Sequence, residues 1–114
     1  MANTFKRYIS REIGTSETSI GSYTVGSSTQ TTVIGLVVSN ISSSQILIDA
    51  AIKISSDSYA NPYYLIKQAP VPAGGSLVIV GGDQKVVLET GDRIYVTSDT
   101  ATSADAVMSI LEIT

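Results

Sequence analysis

The chain has 114 residues, room for a single domain spanning 1–114, with 43% hydrophobic residues, only 15% charged ones and a net charge of −3. It contains no histidine, cysteine or tryptophan, which excludes Ser–His–acid triads, cysteine nucleophiles and zinc or iron centres built from His and Cys. The acidic balance argues against wrapping a nucleic-acid duplex, and no apolar run approaches the ~20 residues of a membrane span.

Short Ser/Thr/Val/Ile segments broken by turn residues run through the chain, and helical periodicity is almost absent. The start, Met1-Ala2-Asn3-Thr4-Phe5-Lys6-Arg7, lacks the apolar centre of a signal peptide, so cytosolic synthesis is expected. Residues 1–12 read as a first strand (Phe5–Ile13) or as an N-terminal arm. Three basic residues, Lys6, Arg7 and Arg11, gather there and suit either a solvated strand face or contact with an acidic neighbour. Gly14, Gly21 and Gly26 punctuate the next stretch, where Ser19–Val25 is expected as a strand. Thr31–Asn40 holds a run apolar on both faces, Val33 to Val38, which reads as a central strand. Asn40 to Ser44 then reads as a hairpin loop.

Gln45–Ile54 shows the clearest alternation: Ile46, Ile48, Ala50, Ile52 and Ile54 share one parity, as in a half-buried strand. Ser55 to Pro62 is a polar loop closing on the turn initiator Asn61-Pro62. Tyr59, Tyr63 and Tyr64 flank it. Tyr63 shares strand parity with Leu65 and is expected in the core. Tyr59 and Tyr64 suit either core packing with exposed hydroxyls or a contact patch. Tyr63–Gln68 is a strand, and Pro70 to Gly75 is expected to interrupt the ladder because proline lacks the N–H.

Ser76–Val80, Lys85–Leu88, Arg93–Ser98 and Ala106–Ile113 complete the strands. Gly81 to Gln84 and Glu89 to Asp92 are tight turns between them. Gly81-Gly82 lacks the spacing and the lysine of a phosphate loop. Ala101–Ala106 is the one place where a helical turn is an alternative. The last strand is apolar on both parities, which suits a place inside a sheet or a pairing with another subunit. Asp83, Glu89, Asp92, Asp99 and Asp105 recur near turns, where Asp usually bonds its own backbone; a calcium site or a carboxylate pair is the alternative. Eight to nine short strands make this an all-β protein, an antiparallel β-sandwich or jelly-roll-like barrel.

One stretch carries a family signal. Tyr63-Tyr64-Leu65-Ile66-Lys67-Gln68-Ala69-Pro70-Val71-Pro72-Ala73-Gly74-Gly75-Ser76-Leu77 is followed by Lys85-Val86-Val87-Leu88-Glu89-Thr90-Gly91-Asp92-Arg93-Ile94-Tyr95-Val96-Thr97-Ser98. A final strand ends Ser109-Ile110-Leu111-Glu112. This half of the chain resembles small structural proteins of tailed bacteriophages, cyanophage virions among them. The resemblance implies a virion protein assembled in the host cytoplasm, first a capsid decoration (cement) protein, with a neck, tail or fibre-attachment component as the alternative. Its partners would be copies of itself, as a trimer or larger ring, and other virion proteins such as the major capsid protein.

No catalytic residue, cofactor, metal, nucleic acid or membrane is expected, and a small hydrolase is the least favoured reading. The expected contact residues are Phe5, Lys6, Arg7, Tyr8 and Arg11 in the N-terminal segment, and Tyr59 and Tyr64 beside the Asn61-Pro62 turn. A carbohydrate-binding β-sandwich module is the reading from another functional class, resting on Tyr59 and Tyr64.

Overall fold

The computed structural model describes residues 2–114 and is all-β, with nine strands in two antiparallel sheets. The strands are β1 (Asn3–Ile13), β2 (Thr18–Ser19), β3 (Gln30–Asn40), β4 (Ile46–Lys53), β5 (Tyr63–Val71), β6 (Ser76–Val80), β7 (Val86–Leu88), β8 (Arg93–Ser98) and β9 (Ala104–Ile113). The first sheet runs β1-β9-β3-β6, with β7 pairing the other half of the β3 edge; the second runs β2-β8-β4-β5. The chain changes sheet after β1, β2, β3, β5, β7 and β8, the crossing pattern of a jelly-roll-like sandwich.

Period-two patterning builds the core. Val33, Leu36 and Val38 of β3 and Ala106, Met108 and Ile110 of β9 point inward from the first sheet. They meet Ile46, Ile48 and Ala50 of β4 and Ile94 and Val96 of β8. All are essentially buried, so each β-branched or Leu side chain contributes about 1.5–3 kcal/mol of burial.

Several expectations are corrected. Of the expected Ser19–Val25 strand only Ser19 lies in a paired strand, Thr18–Ser19; Ile20–Ser22 forms a 3-10 turn. Gly21 (φ 59°) and Ser22 (φ 54°) sit in the left-handed region. A Cβ on Gly21 would lie 2.7 Å from the Tyr8 Cβ, so the missing side chain lets this turn press against β1. The Asn40–Ser44 segment is not a hairpin loop, because β3 and β4 belong to different sheets. Pro70 does continue the ladder, opposite Leu47. β5 is the edge strand of its sheet, where a missing N–H is tolerated.

The run Leu77 to Val80 is likewise no central strand: β6 lies at the sheet's edge. Ala101 and Thr102 form a turn, with β9 already extended from Ala104, so the helical alternative is absent there. The segment 3–13 is a strand rather than an arm, and β9 lies inside a sheet, between β1 and β3.

Candidate functional site

Aspartates close the loops rather than gathering into a reactive group. Asp57, Asp92 and Asp99 each accept a backbone N–H at a turn, from Ala60, Glu89 and Leu47 respectively. Asp105 accepts the N–H of Glu12, and Asp49 that of Gln68 at 2.6 Å. Both latter donors belong to residues with positive φ at β-bulges, so the carboxylates hold the strained backbone in place. Among the described residues no three acidic side chains come together as a metal-binding group.

The first sheet turns an apolar face outward. Register places two rows side by side across it. Phe5, Leu111, Thr32 and Val87 are consecutive cross-strand partners, as are Ile9, Val107, Val37 and Val78. Phe5 is 74% exposed, Val78 and Val87 62% each and Ile9 58%, values that set this face apart from a solvated strand surface. Between the rows run Arg7, Ser109 and Gly35. An open hollow there is lined by Phe5, Arg7, Ile34 and Ser109. No carboxylate pairs with Arg7 among the described residues, whereas Arg11 lies 3.6 Å from Glu12. Ile9, Ile41 and Val107 also line an open groove of about 620 Å³ at the Arg11 end.

The outer face of the second sheet is its opposite in character. Tyr95, Ala51 and Tyr64 are consecutive cross-strand partners. Lys53 bonds Glu17 at 2.7 Å and lies over the Tyr95 ring. Lys67 lies over the Tyr64 ring, 3.6 Å from Asp49; hydrogen bonding to the Tyr64 hydroxyl is the main cause of its raised pKa. Arg93 covers the Tyr59 ring at 3.9 Å and donates to the Tyr95 hydroxyl.

The seven residues singled out in the sequence therefore do not share one surface. Phe5, Arg7 and Arg11 lie on the apolar face, and Tyr64 on the opposite, polar one. Lys6 pairs with Glu112 at 2.9 Å. Tyr8 turns inward and packs on Tyr23, ring centroids 4.4 Å apart. Tyr59 is tied down, its hydroxyl donating to the Gly91 carbonyl. Tyr63 is 55% exposed rather than in the core: its partner Ile52 packs against the core, but Tyr63 is the first residue of the edge strand β5, at a corner of the sheet. The residues missed are Ile9, Val78, Val87 and Val107. For Val78 and Val107 the signal was the two-sided apolar pattern of their strands, which does not say which side stays uncovered; Ile9, in a polar and basic segment, and Val87 carried no such signal.

No family model matches the chain, and no curated protein matches it. Solved structures do. One from work titled "Bacillus endospore appendages form a novel family of disulfide-linked pili" aligns with a TM-score of 0.58 at 9% identity, over 98% of this chain and 88% of that one. The nucleoplasmin-like N-terminal domain of Drosophila FKBP39 aligns with a TM-score of 0.48 at 12% identity, over 98% and 91%. A chain of the T13 IBDV viral particle aligns with a TM-score of 0.47 at 8% identity, over 96% of this chain and 35% of that one. At such identities the likeness is one of fold: the chain shares a two-sheet β-architecture with the first of these.

Proposed function

We propose that the protein is a non-enzymatic structural subunit that works by packing copies of itself into a larger assembly. The observation that carries this reading is the apolar outer face of the first sheet, two cross-strand rows with Phe5, Ile9, Val78 and Val87 all more than half exposed. A side chain such as Phe5 left in water forfeits about 1.5–3 kcal/mol that a covering surface would recover. The occupant proposed is a second copy of this chain. Arg7 stands between the rows without a carboxylate of its own, and a copy of net charge −3 brings an excess of acids. The architecture it shares with the chain from the Bacillus appendage work supports the same reading, since that work describes pili. Those pili are described as disulfide-linked; this chain has no cysteine, so its copies would be held without disulfides among themselves.

Within that reading we place the protein on a tailed-phage particle, as a capsid decoration protein in trimers or larger rings that contact the major capsid protein. The support is the resemblance of the segments from Tyr63 to Ser98 and at the C-terminal strand. A neck or tail component is the alternative, and the two differ in stoichiometry. Quantitative mass spectrometry of purified particles is expected to give on the order of hundreds of copies for decoration and a single ring of about six or twelve for neck or tail. Absence from particles overturns the virion assignment. Monomeric behaviour at high concentration in sedimentation overturns the self-assembly reading itself.

A further inference from the structure

On the face away from the apolar rows, the residues around Ala51 form a slot that the assembly reading does not use. Its floor is Ala51, and its walls are Tyr64 and Tyr95, the partners of Ala51 on either side. Glu17, Asp49 and Thr97 complete the lining. Strands about 4.8 Å apart place the two tyrosines about 10 Å apart at the backbone, with the small residue between them. The slot holds about 180 Å³, the space of about six waters at about 30 Å³ each and so the size class of one sugar ring. Alanine at the centre is what opens it, because any larger side chain there would fill the gap between the rings.

The chemistry around the slot distinguishes between ligand classes. Acceptors and donors alternate: Glu17 beside Lys53, Asp49 beside Lys67. A cation would find both carboxylates already paired, Glu17 with Lys53 at 2.7 Å and Asp49 with Lys67 at 3.6 Å, and one face of each ring already taken, with Lys53 5.1 Å from the Tyr95 centroid and Lys67 4.5 Å from that of Tyr64. An anion would meet two carboxylates. A neutral polyol needs no charge of its own: its hydroxyls donate to the carboxylates, and a C–H face packs on the ring faces that the lysines leave open. The Thr97 hydroxyl and the second carboxylate oxygen of Glu17 have no hydrogen-bond partner among the described residues, so they are free to serve it.

We infer that the Tyr64–Ala51–Tyr95 slot binds a neutral saccharide, one ring between the two tyrosines. This holds whatever covers the opposite face.

The test is titration of the full chain, observed by amide NMR, with glucose, galactose, mannose, N-acetylglucosamine and their linear trimers. Tetramethylammonium forms a parallel arm. Saturable shifts centred on Ala51, Tyr64 and Tyr95 are expected with at least one saccharide. Tyr64→Ala and Tyr95→Ala are each expected to weaken binding roughly three- to tenfold. Ala51→Leu, which keeps both rings and fills the slot, is expected to abolish binding, while Phe5→Thr on the other face leaves it unchanged. Tyr64 lies on an edge strand and is about half exposed, so its variant keeps the test decisive if Ala51→Leu fails to fold. No saturable shift with any of these sugars overturns the inference. So do shifts that survive the tyrosine substitutions, and tetramethylammonium binding more tightly than every saccharide.

Discussion

One tightly held polar group is a phenol. The Tyr23 hydroxyl sits 2.7 Å from Thr31 Oγ1 and 2.7 Å from Glu112 Oε2, inside the end of the sandwich. Burial is the first cause that pushes its pKa up, so it stays a neutral donor. Glu112, in turn, is held below the usual carboxylate range by its bond to Lys6 and then by the one from Tyr23. The sign follows. A carboxylate with a depressed folded pKa contributes stability that is present above its unfolded value, about 4.3, and is lost as pH falls through the folded pKa. Urea-denaturation midpoints should therefore drop as the pH is lowered from about 5 towards about 3. Glu112→Gln is expected to flatten part of that drop, because the amide oxygen still accepts from Tyr23 without titrating. Tyr23→Phe is expected to cost about 1–3 kcal/mol at neutral pH, since Thr31 and Glu112 lose their shared partner in a buried place. An unchanged acid limb in Glu112→Gln would remove this network from the account of stability.

At the scale of the elements, Asn40 shows how a sheet change is fixed. It ends β3, and its amide group donates to the carbonyls of Ser44 (2.8 Å) and Val71 (2.9 Å). Its side-chain oxygen accepts from the Ser42 N–H and hydroxyl. One 2% exposed side chain thus ties the end of a first-sheet strand to the loop entering the second sheet and to the edge strand β5. Asn40→Ala is expected to lose on the order of 2 kcal/mol or more, because it strands buried carbonyls as well as removing bonds. Thermal melting checks this, and a loss within about 0.5 kcal/mol, the range of ordinary surface changes, would count against it.

The same residue marks a limit of what the sequence discloses. Strand positions were legible from period-two alternation: Arg93–Ser98 and Ser76–Val80 fall where expected, and Ile46 to Lys53 lies within its predicted bounds. Sheet membership was not legible, because a polar Asn-Ser loop suits a hairpin and a crossover equally well. The bulge at Gln68 was hidden for a related reason. Its positive φ of 52° carries no glycine, and the support comes from Asp49, 19 residues away.

Across the whole molecule, the two outer faces divide the work. The second sheet spends its Lys, Asp and Tyr residues on one another, which leaves a wettable surface with the slot at its centre. The first sheet leaves its apolar rows bare. The candidate site was half legible: Phe5, Arg7 and Arg11 stood out as large or charged groups in a polar segment, but strand order decided that Val87, Val78 and Val107 lie beside them. Four neighbouring strands about 4.8 Å apart, with about eight residues at about 3.3 Å each, give a flat face on the order of 500 Å². That is below the ~800 Å² per partner of a standard interface. A single pairing through this face is therefore weak, and repeated contacts within a ring or on a lattice make it persistent. The expected behaviour is concentration-dependent association by sedimentation velocity, with monomer at low micromolar concentration and larger species as the concentration rises. Phe5→Thr with Ile9→Thr keeps β-branched strand formers at both positions and removes about 3 kcal/mol of coverable apolar side chain, roughly a hundredfold in the association constant. Both residues are already more than half exposed, so melting of the monomer should hardly move. Added salt should weaken association less than this double substitution does, because Arg7 is the one unpaired charge between the rows while apolar contact supplies most of the affinity. Association that survives the double substitution would assign the contact to another part of the surface, with the free edge of β1 next in line.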